Sequence, residues 1–485
     1  MTSLNRRSFL RKSALGAAAV TWSARSWSQV KSANEDVRLA VIGFGGRGKD
    51  HLGGLSKLPG VRIAGLCDVD EAILKAEAEK RPGTETHTDL RRLLESKNID
   101  AVSIATPNHW HALAAIWAIQ AGKDVYLEKP VSHNVWEGRK IVEAARKYGK
   151  IVQTGTQSRS SFAIRQAVEW VQKGNLGKIL VSRGLCYKPR RSIGKVDGPQ
   201  PIPAGLDYDL WCGPALKLPL MRKRLHYDWH WDFNTGNGDL GNQGIHQMDI
   251  ARWFLGEHEL SPRVMSIGGR LGYIDDGNTP NTQVVWHGYS KAPLIFEVRG
   301  LPRSQAQQND KDWNSSMDKF LGGSVAVIVH CEGGHVLVPN YSSAIAFDNE
   351  GKQIQKWDGA EDHYGNFLKA VRSRDPKDLN ADILEGHLSS ALCHTGNVSY
   401  RLGKEGSPDA IREQIGSDKD LAESYGRMVE HLAANGIHVA KAGEQLRLGA
   451  MLKMDPKAEK FRGSREANEL LARPYRKPYV VPAKV

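Results

Sequence analysis

The chain has 485 residues, too many for one ordinary hydrophobic core, so at least two domains are expected. Hydrophobic residues make up 40% and charged residues 25%, the balance of a globular protein rather than a disordered or fibrous one. The formal net charge of +13 falls to +8 once the five basic residues of the first 28 positions are set aside; the remaining Lys and Arg alternate with acids, which leaves no basic footprint for nucleic acid.

The first residues read as an address rather than as structure. Arg6-Arg7-Ser8-Phe9-Leu10 precedes a short Ala-rich apolar run at 14–20, and Ser26 and Ser28 offer small residues for cleavage before Gln29. Residues 1–28 are therefore expected to be a twin-arginine signal peptide. This implies a periplasmic or otherwise exported protein, moved in the folded state by the twin-arginine translocase. No later run supplies the roughly 18 apolar residues of a membrane span. Five scattered cysteines (Cys67, Cys186, Cys212, Cys331, Cys393) contain no CxxC pair, so neither a disulfide framework nor a zinc site is expected.

Residues 36–157 alternate short apolar runs with longer helical patterns. Strands are predicted at 37–42, 61–67, 101–105, 125–127 and 151–154, with crossover helices at 47–58, 71–81, 109–121 and 136–148. That alternation predicts a doubly wound parallel sheet, a Rossmann dinucleotide-binding domain. The first strand runs into Gly43-Phe44-Gly45-Gly46-Arg47-Gly48 and then a helix, the context a GxGxxG turn needs to cradle a pyrophosphate. Asp68 ends the second strand, where a carboxylate accepts from the ribose hydroxyls and repels a 2′-phosphate. NAD is expected, with NADP disfavoured. Ligands in such sheets sit beyond the strand ends, which draws in Thr106-Pro107-Asn108-His109-Trp110-His111 and Glu128-Lys129-Pro130.

Residues 158–402 read as a sheet domain. Strands are predicted at 179–187, 264–271, 282–289, 294–300, 325–331 and 335–338, and helices at 243–255, 363–373 and 381–402. Residues 403–485 form a tail whose last part, 461–485, is a polar helix followed by a Pro-rich stretch laid over the body. The densest polar and aromatic cluster is Tyr227-Asp228-Trp229-His230-Trp231-Asp232-Phe233, followed by Asn242, His246 and Asp249. The last three share one helix face if the helix reaches back to 242. His226, His230 and His246 lack a zinc-ligand spacing, and no metal is expected.

The runs GFGGRG, LCDVD, IATPNHWHA, AGKDVYLEKP and VQTGTQSRS together resemble the Gfo/Idh/MocA oxidoreductases, the family named after glucose-fructose oxidoreductase and inositol dehydrogenase. The resemblance implies a Rossmann domain followed by an open, mostly antiparallel sheet with flanking helices, α/β joined to α+β. It places cofactor contacts on Gly43, Phe44, Gly45, Gly46, Arg47, Gly48, Asp68, Thr106, Asn108, His111, Glu128, Lys129 and Gln157. The family's EKP lysine falls on Lys129. Its D-x-x-x-H pair falls on Asn242 and His246, so an amide that cannot ionise stands where the family has a carboxylate.

The implied chemistry is hydride transfer to or from a hydroxyl-bearing carbon of a sugar, polyol or cyclitol, with His246 as general base and Lys129 stabilising the substrate oxygen. Trp229, His230 and Trp231 either stack on the substrate ring or pack in the core; the sequence leaves both open. Two other functions compete. One is an NAD-dependent glycosidase working by transient oxidation and elimination, against which Lys129 and Pro130 speak. The other is a non-catalytic cofactor-binding protein, for which Asn242 is the hint. An exported enzyme has little free NAD to exchange with, so the cofactor is expected to stay bound, held by residues 29–36 folding over the adenine side. A homo-oligomer through the sheet domain is also expected.

Overall fold

Short Val-, Ile- and Ala-rich runs that are buried on both faces make the first sheet, as parallel strands require. A computed structural model describes residues 36–416 and 418–485; the expected signal peptide and nearly all of the 29–36 arm lie outside the described residues. The strands are β1 (Val37–Ile42), β2 (Val61–Cys67), β3 (Glu85–His87), β4 (Ala101–Ile104), β5 (Asp124–Leu127) and β6 (Val152–Thr154). All pair in parallel in the order β3-β2-β1-β4-β5-β6. The order reverses between β1 and β4, which opens the ligand crevice of a Rossmann sheet at their carboxyl ends.

The helices between them are α1 (Gly48–Leu55), α2 (Glu71–Ala78), α3 (Leu90–Glu95), α4 (Asn108–Gln120) and α5 (Val135–Tyr148). Local chemistry sets their ends. Asp70 caps α2 by accepting from Ala72 and Ile73 N–H, and Asn134 caps α5 by accepting from Glu137 N–H. The five predicted strands appear within one residue of their expected bounds. β3 and α3 were not anticipated, because three and six residues carry too little periodicity to register.

The second sheet has β7 (Ile179–Tyr187), β8 (Arg263–Gly269), β9 (Thr282–His287), β10 (Leu294–Arg299), β11 (Val325–Cys331), β12 (Gly334–Val338), β13 (Ser343–Phe347) and β14 (Gln353–Asp358), extended by short strands from the tail. Its main order is β14-β13-β12-β11-β7-β10-β9-β8. β7 and β10 pair in parallel and their neighbours are antiparallel, so the sheet is mixed but mostly antiparallel, as expected. One face is covered by α6 (Phe162–Gln172), by a later helix at Gly244–Leu255 and by the long helix Ile383–Leu402. On the other face Ile411, Tyr425, Met428 and Leu432 from the tail pack on Ile267, Val284 and Ile295.

The expected divisions at 157 and 402 separate the sequence more cleanly than the core. Phe367, Leu368 and Val371 of the helix His363–Ser373 pack against Val37, Leu39 and Val41 beneath the first sheet. Tyr479, Val481 and Val485 end the tail against α4 and α5, with Tyr479 5.5 Å from the Trp110 ring. A long strap, residues 188–237, leaves β7 and crosses to the Rossmann domain. There Glu71 N–H donates to Gly205 O (3.1 Å), Trp110 Nε1 donates to Leu210 O (3.0 Å), and His226 Nε2 lies 2.9 Å from Asp70 Oδ2.

Candidate functional site

The glycine turn carries the strictest backbone demands. Gly43 has φ +79°, and a Cβ there would lie 2.9 Å from Thr106 N; a Cβ on Gly48 would lie 2.0 Å from Gly43 O. These two close the turn. Gly45 and Gly46 instead line the cleft, Gly46 with open space where a Cβ would point. Phe44 is packed away in the core, and its N–H donates to Asp68 Oδ2 at 2.9 Å. Asp68 Oδ1 accepts from Asp70 N–H, so this carboxylate braces the turn while lining the cleft. Burial pushes the Asp68 carboxyl up, the two N–H groups pulling against it.

Glu128, at the end of β5, is the hub of the opposite wall. Its Oε1 accepts from His51 Nε2 (2.9 Å) and Arg47 Nε (3.1 Å), and its Oε2 from Lys129 N–H (3.1 Å). Burial pushes the Glu128 carboxyl up, but His51, Lys129 and Arg47 outweigh it and hold the group well below the usual carboxylate range. His51 completes a chain to Ser103 Oγ (2.7 Å). Sequence reasoning missed His51; its spacing of four from Arg47 on the helix of the glycine turn was the available signal.

The two strand-end motifs meet through His111, whose ring nitrogens lie 2.6 and 2.8 Å from the carbonyl oxygens of Pro130 and Thr106. Thr106, Asn108 and His111 all line the cleft, and Asn108 Nδ2 donates to Asn237 Oδ1 at 3.0 Å. Gln157 does not reach it. It begins the turn Gln157–Ser160, its Oε1 buried without a protein partner, so direct cofactor contact has no support in its position.

Lys129 Nζ donates to the backbone carbonyl of Asn242 at 3.0 Å, which brings the EKP lysine onto the family's aspartate position. Burial lowers the Lys129 ammonium below the ordinary lysine range, with Glu128 opposing. Asn242 ends α9 when the strap's two short helices, Tyr208–Cys212 and Leu225–Asp228, are counted as α7 and α8 and Gly238–Asn242 as α9; Gly244–Leu255 is then α10. Gln243 between them has φ −85° and ψ −41°, so Asn242 and His246 keep their helical relation across the break. Asp249 does not join them chemically: it is buried, bonded to Arg159 at 2.9–3.0 Å and accepting from Ser389 Oγ at 2.6 Å.

His246 is 5% exposed, its Nδ1 without a protein partner and its ring 4.9 Å from that of Tyr341. Burial first, then the Lys129 charge, hold it well below the ordinary histidine range. Around it Lys188 Nζ donates to Gln243 Oε1 and Gln243 Nε2 to Tyr341 Oη, each at 2.6 Å. The sequence carried no motif for Lys188, Gln243 or Tyr341.

Of the three rings proposed to stack on substrate, Trp229 and His230 line the cleft, their centroids 3.6 Å apart. Trp231 is corrected to a packing role: it is buried under Arg190, 5.2 Å away, which is held by Asp239. The strap closes the cleft's adenosine end with Leu210, Trp211, His226 and Tyr227. The cradle fits a dinucleotide. The cleft runs past the glycine turn and Asp68 to Lys129, no side chain caps α1, and Thr106 Oγ1 is buried without a protein partner. Among the described residues no group of three His, Cys, Asp or Glu is arranged to hold a metal.

Comparison with known proteins agrees with this geometry. Residues 37–156 match the family model described as the Gfo/Idh/MocA oxidoreductase family, NAD-binding Rossmann fold, and residues 163–278 match that family's C-terminal alpha/beta domain. An inositol 2-dehydrogenase of Corynebacterium glutamicum is 29% identical over 164 residues, 33% of this chain and 48% of that protein. A levoglucosan dehydrogenase of Pseudarthrobacter phenanthrenivorans is 26% identical over 310 residues, 62% of this chain and 69% of that protein. The match thus spans about half the length of the inositol dehydrogenase. Among solved structures, the WlbA dehydrogenase of Chromobacterium violaceum, in complex with NADH and UDP-GlcNAcA, superposes with a TM-score of 0.56. It is 20% identical, covering 76% of this chain and 95% of that one, a likeness of fold. With both of the family's domains in order around an NAD-binding cleft, the chain belongs to the Gfo/Idh/MocA oxidoreductase family.

Proposed function

We propose that this chain is a nicotinamide-dependent oxidoreductase that moves a hydride to or from a hydroxyl-bearing carbon of a sugar, polyol or cyclitol, and that it keeps its NAD bound. The observation that carries the reading is the meeting of Lys129 Nζ with Asn242, one helical turn from His246, at the inner end of the cleft. The glycine turn, Asp68 and Thr106 would hold NAD, which when bound supplies the hydride acceptor or donor. Lys129, held close by Glu128 and Asn242, donates a hydrogen bond to the substrate oxygen and stabilises its negative charge. His246, neutral because it is buried beside a cation, takes the hydroxyl proton. Trp229 and His230 offer a flat face for the substrate ring.

Retention of NAD is supported by the strap. It closes over the adenosine end and is fastened to the N-terminus of α2, Gly205 to Glu71 and His226 to Asp70, so cofactor release requires those contacts to open. The clasp expected from residues 29–36 lies almost wholly outside the described residues. Export by the twin-arginine route belongs to the same proposal, since that route carries folded, loaded proteins. The test is turnover of a sugar and polyol panel. Lys129→Ala and His246→Ala should each lower turnover while sparing NAD content, with a double variant far from additive. Normal turnover in either single variant would remove that residue from the reaction.

A further inference from the structure

Behind the cleft lies a second cavity of about 360 Å³, between the strap, the helix Ile383–Leu402 and the tail. Its walls hold polar atoms that find no partner in the protein: Asn134 Nδ2, His133 Nε2, Asn397 Oδ1, His394 Nδ1, and both Nε and Nη1 of Arg473. Asn134, Asn397 and His394 are 5%, 4% and 3% exposed, so bulk water does not satisfy these groups freely. Two arginines stand on its wall. Arg473 uses only Nη2, on Asn234, and Arg401 lays its guanidinium over the Phe233 ring at 5.2 Å. The two carboxylates of the wall are occupied, Asp232 by Asn278, Asn234 N–H and Arg222, and Glu469 by Arg465. Burial lowers the pKa of both guanidinium groups; Glu137, Tyr475 and Asp232 oppose it at Arg473, while at Arg401 the Arg473 charge adds to it.

We propose that this cavity is a second ligand site, for a monosaccharide-sized polyhydroxy anion. The two guanidiniums would meet its carboxylate or phosphate, and the unpartnered Asn and His atoms its hydroxyls. An anion answers the unpartnered Nε and Nη1 of Arg473 more strongly than water or a neutral sugar does, because charge-assisted bonds to guanidinium are the strong ones. The site reaches the cofactor cleft through one residue. Asn237 donates to His133 O, accepts from Asn397 on its carbonyl, and accepts from the cleft residue Asn108 on Oδ1. Occupancy is thereby linked to the loop that carries Lys129.

The test is calorimetric titration of the full mature protein, loaded with NAD, with sodium D-gluconate, D-glucose 6-phosphate and neutral D-glucose. The proposal expects at least one anion to bind and glucose to bind far more weakly. Arg473→Gln and the exposed-site variant Arg401→Gln should each weaken the anion about tenfold or more, while Lys129→Ala leaves it intact. Binding of gluconate alone, of the phosphate alone or of both identifies which oxyanion the arginines accept. Unchanged affinity in both arginine variants, loss in Lys129→Ala, or absence of anion binding overturns it. So does a soaked crystal with only ordered water against Arg473.

Discussion

Replacing Asn242 with aspartate restores the charge that this chain lacks beside His246. Because Gln243 is helical, the two side chains stand four residues apart on one surface, about 6 Å between them. A unit charge at that distance, with an effective dielectric constant near 20, acts on an imidazolium with about 3 kcal/mol, roughly two pKa units. Lys129, which already bonds the backbone of this residue, shares the new carboxylate, so the expected rise in the His246 pKa is about one to two units. Wild-type His246 is held low by burial and by Lys129, and a carboxylate at 242 offsets the second cause. The assay is an NMR titration of the histidine rings, His246 being assigned by its loss in His246→Gln, alongside the pH–rate profile of the best substrate. The acid limb should move to higher pH by the same amount, and alkaline turnover should rise with the stronger base. A His246 pKa that stays within about half a unit of wild type would refute the electrostatic account of this site.

The glycines should separate by role. Gly45→Val should fold and lose NAD, whereas Gly48→Ala should destabilise the turn itself, since its Cβ meets Gly43 O; thermal melts and cofactor content distinguish the two, and reversed results contradict the assignment. Asp68→Ala should weaken NAD more than NADP, with some loss for both because the Phe44 N–H loses its acceptor; equal losses would deny the ribose contact. Glu128→Gln tests the hub through pH. The folded carboxyl is depressed, so its contribution is full above the unfolded value of about 4.3 and is lost as pH falls through the folded value. The stability advantage of wild type over Glu128→Gln should therefore shrink below about pH 4.5 and be constant at neutral pH; a gap that widens in acid would contradict this.

The Rossmann half was legible because its signals are local. A buried strand, a glycine turn and a helix follow one another within a few residues, and Gly43, Asp68, Glu128 and Lys129 all sit at strand ends. The sheet strands 179–187 and 325–331 were legible for the same reason, as β-rich runs with clear stops. What escaped is made by distant segments meeting. Glu128 binds His51 across 77 residues, Lys188 and Tyr341 reach Gln243 from two other elements, and the strap packs on Asp70 from residue 226. No spacing rule encodes such contacts. Trp231 shows the complementary error: three neighbouring rings looked alike in sequence, but successive residues of a tight turn point in different directions, and one turned inward under Arg190.

The most direct test of the account is the absorbance of the exhaustively dialysed purified protein in the reduced-nicotinamide band, with a sugar and polyol panel added and no NAD supplied. The account predicts that one substrate class changes this band by up to one reduced nicotinamide per chain. It also predicts that Lys129→Ala and His246→Ala retain the cofactor but slow the change, and that His226→Ala, which frees the strap from Asp70, loses cofactor on dialysis. A protein that carries no nicotinamide after dialysis and regains full activity with micromolar NAD would contradict the resident cofactor. One that retains it but never changes the band with any hydroxylated substrate would contradict hydride transfer at this site.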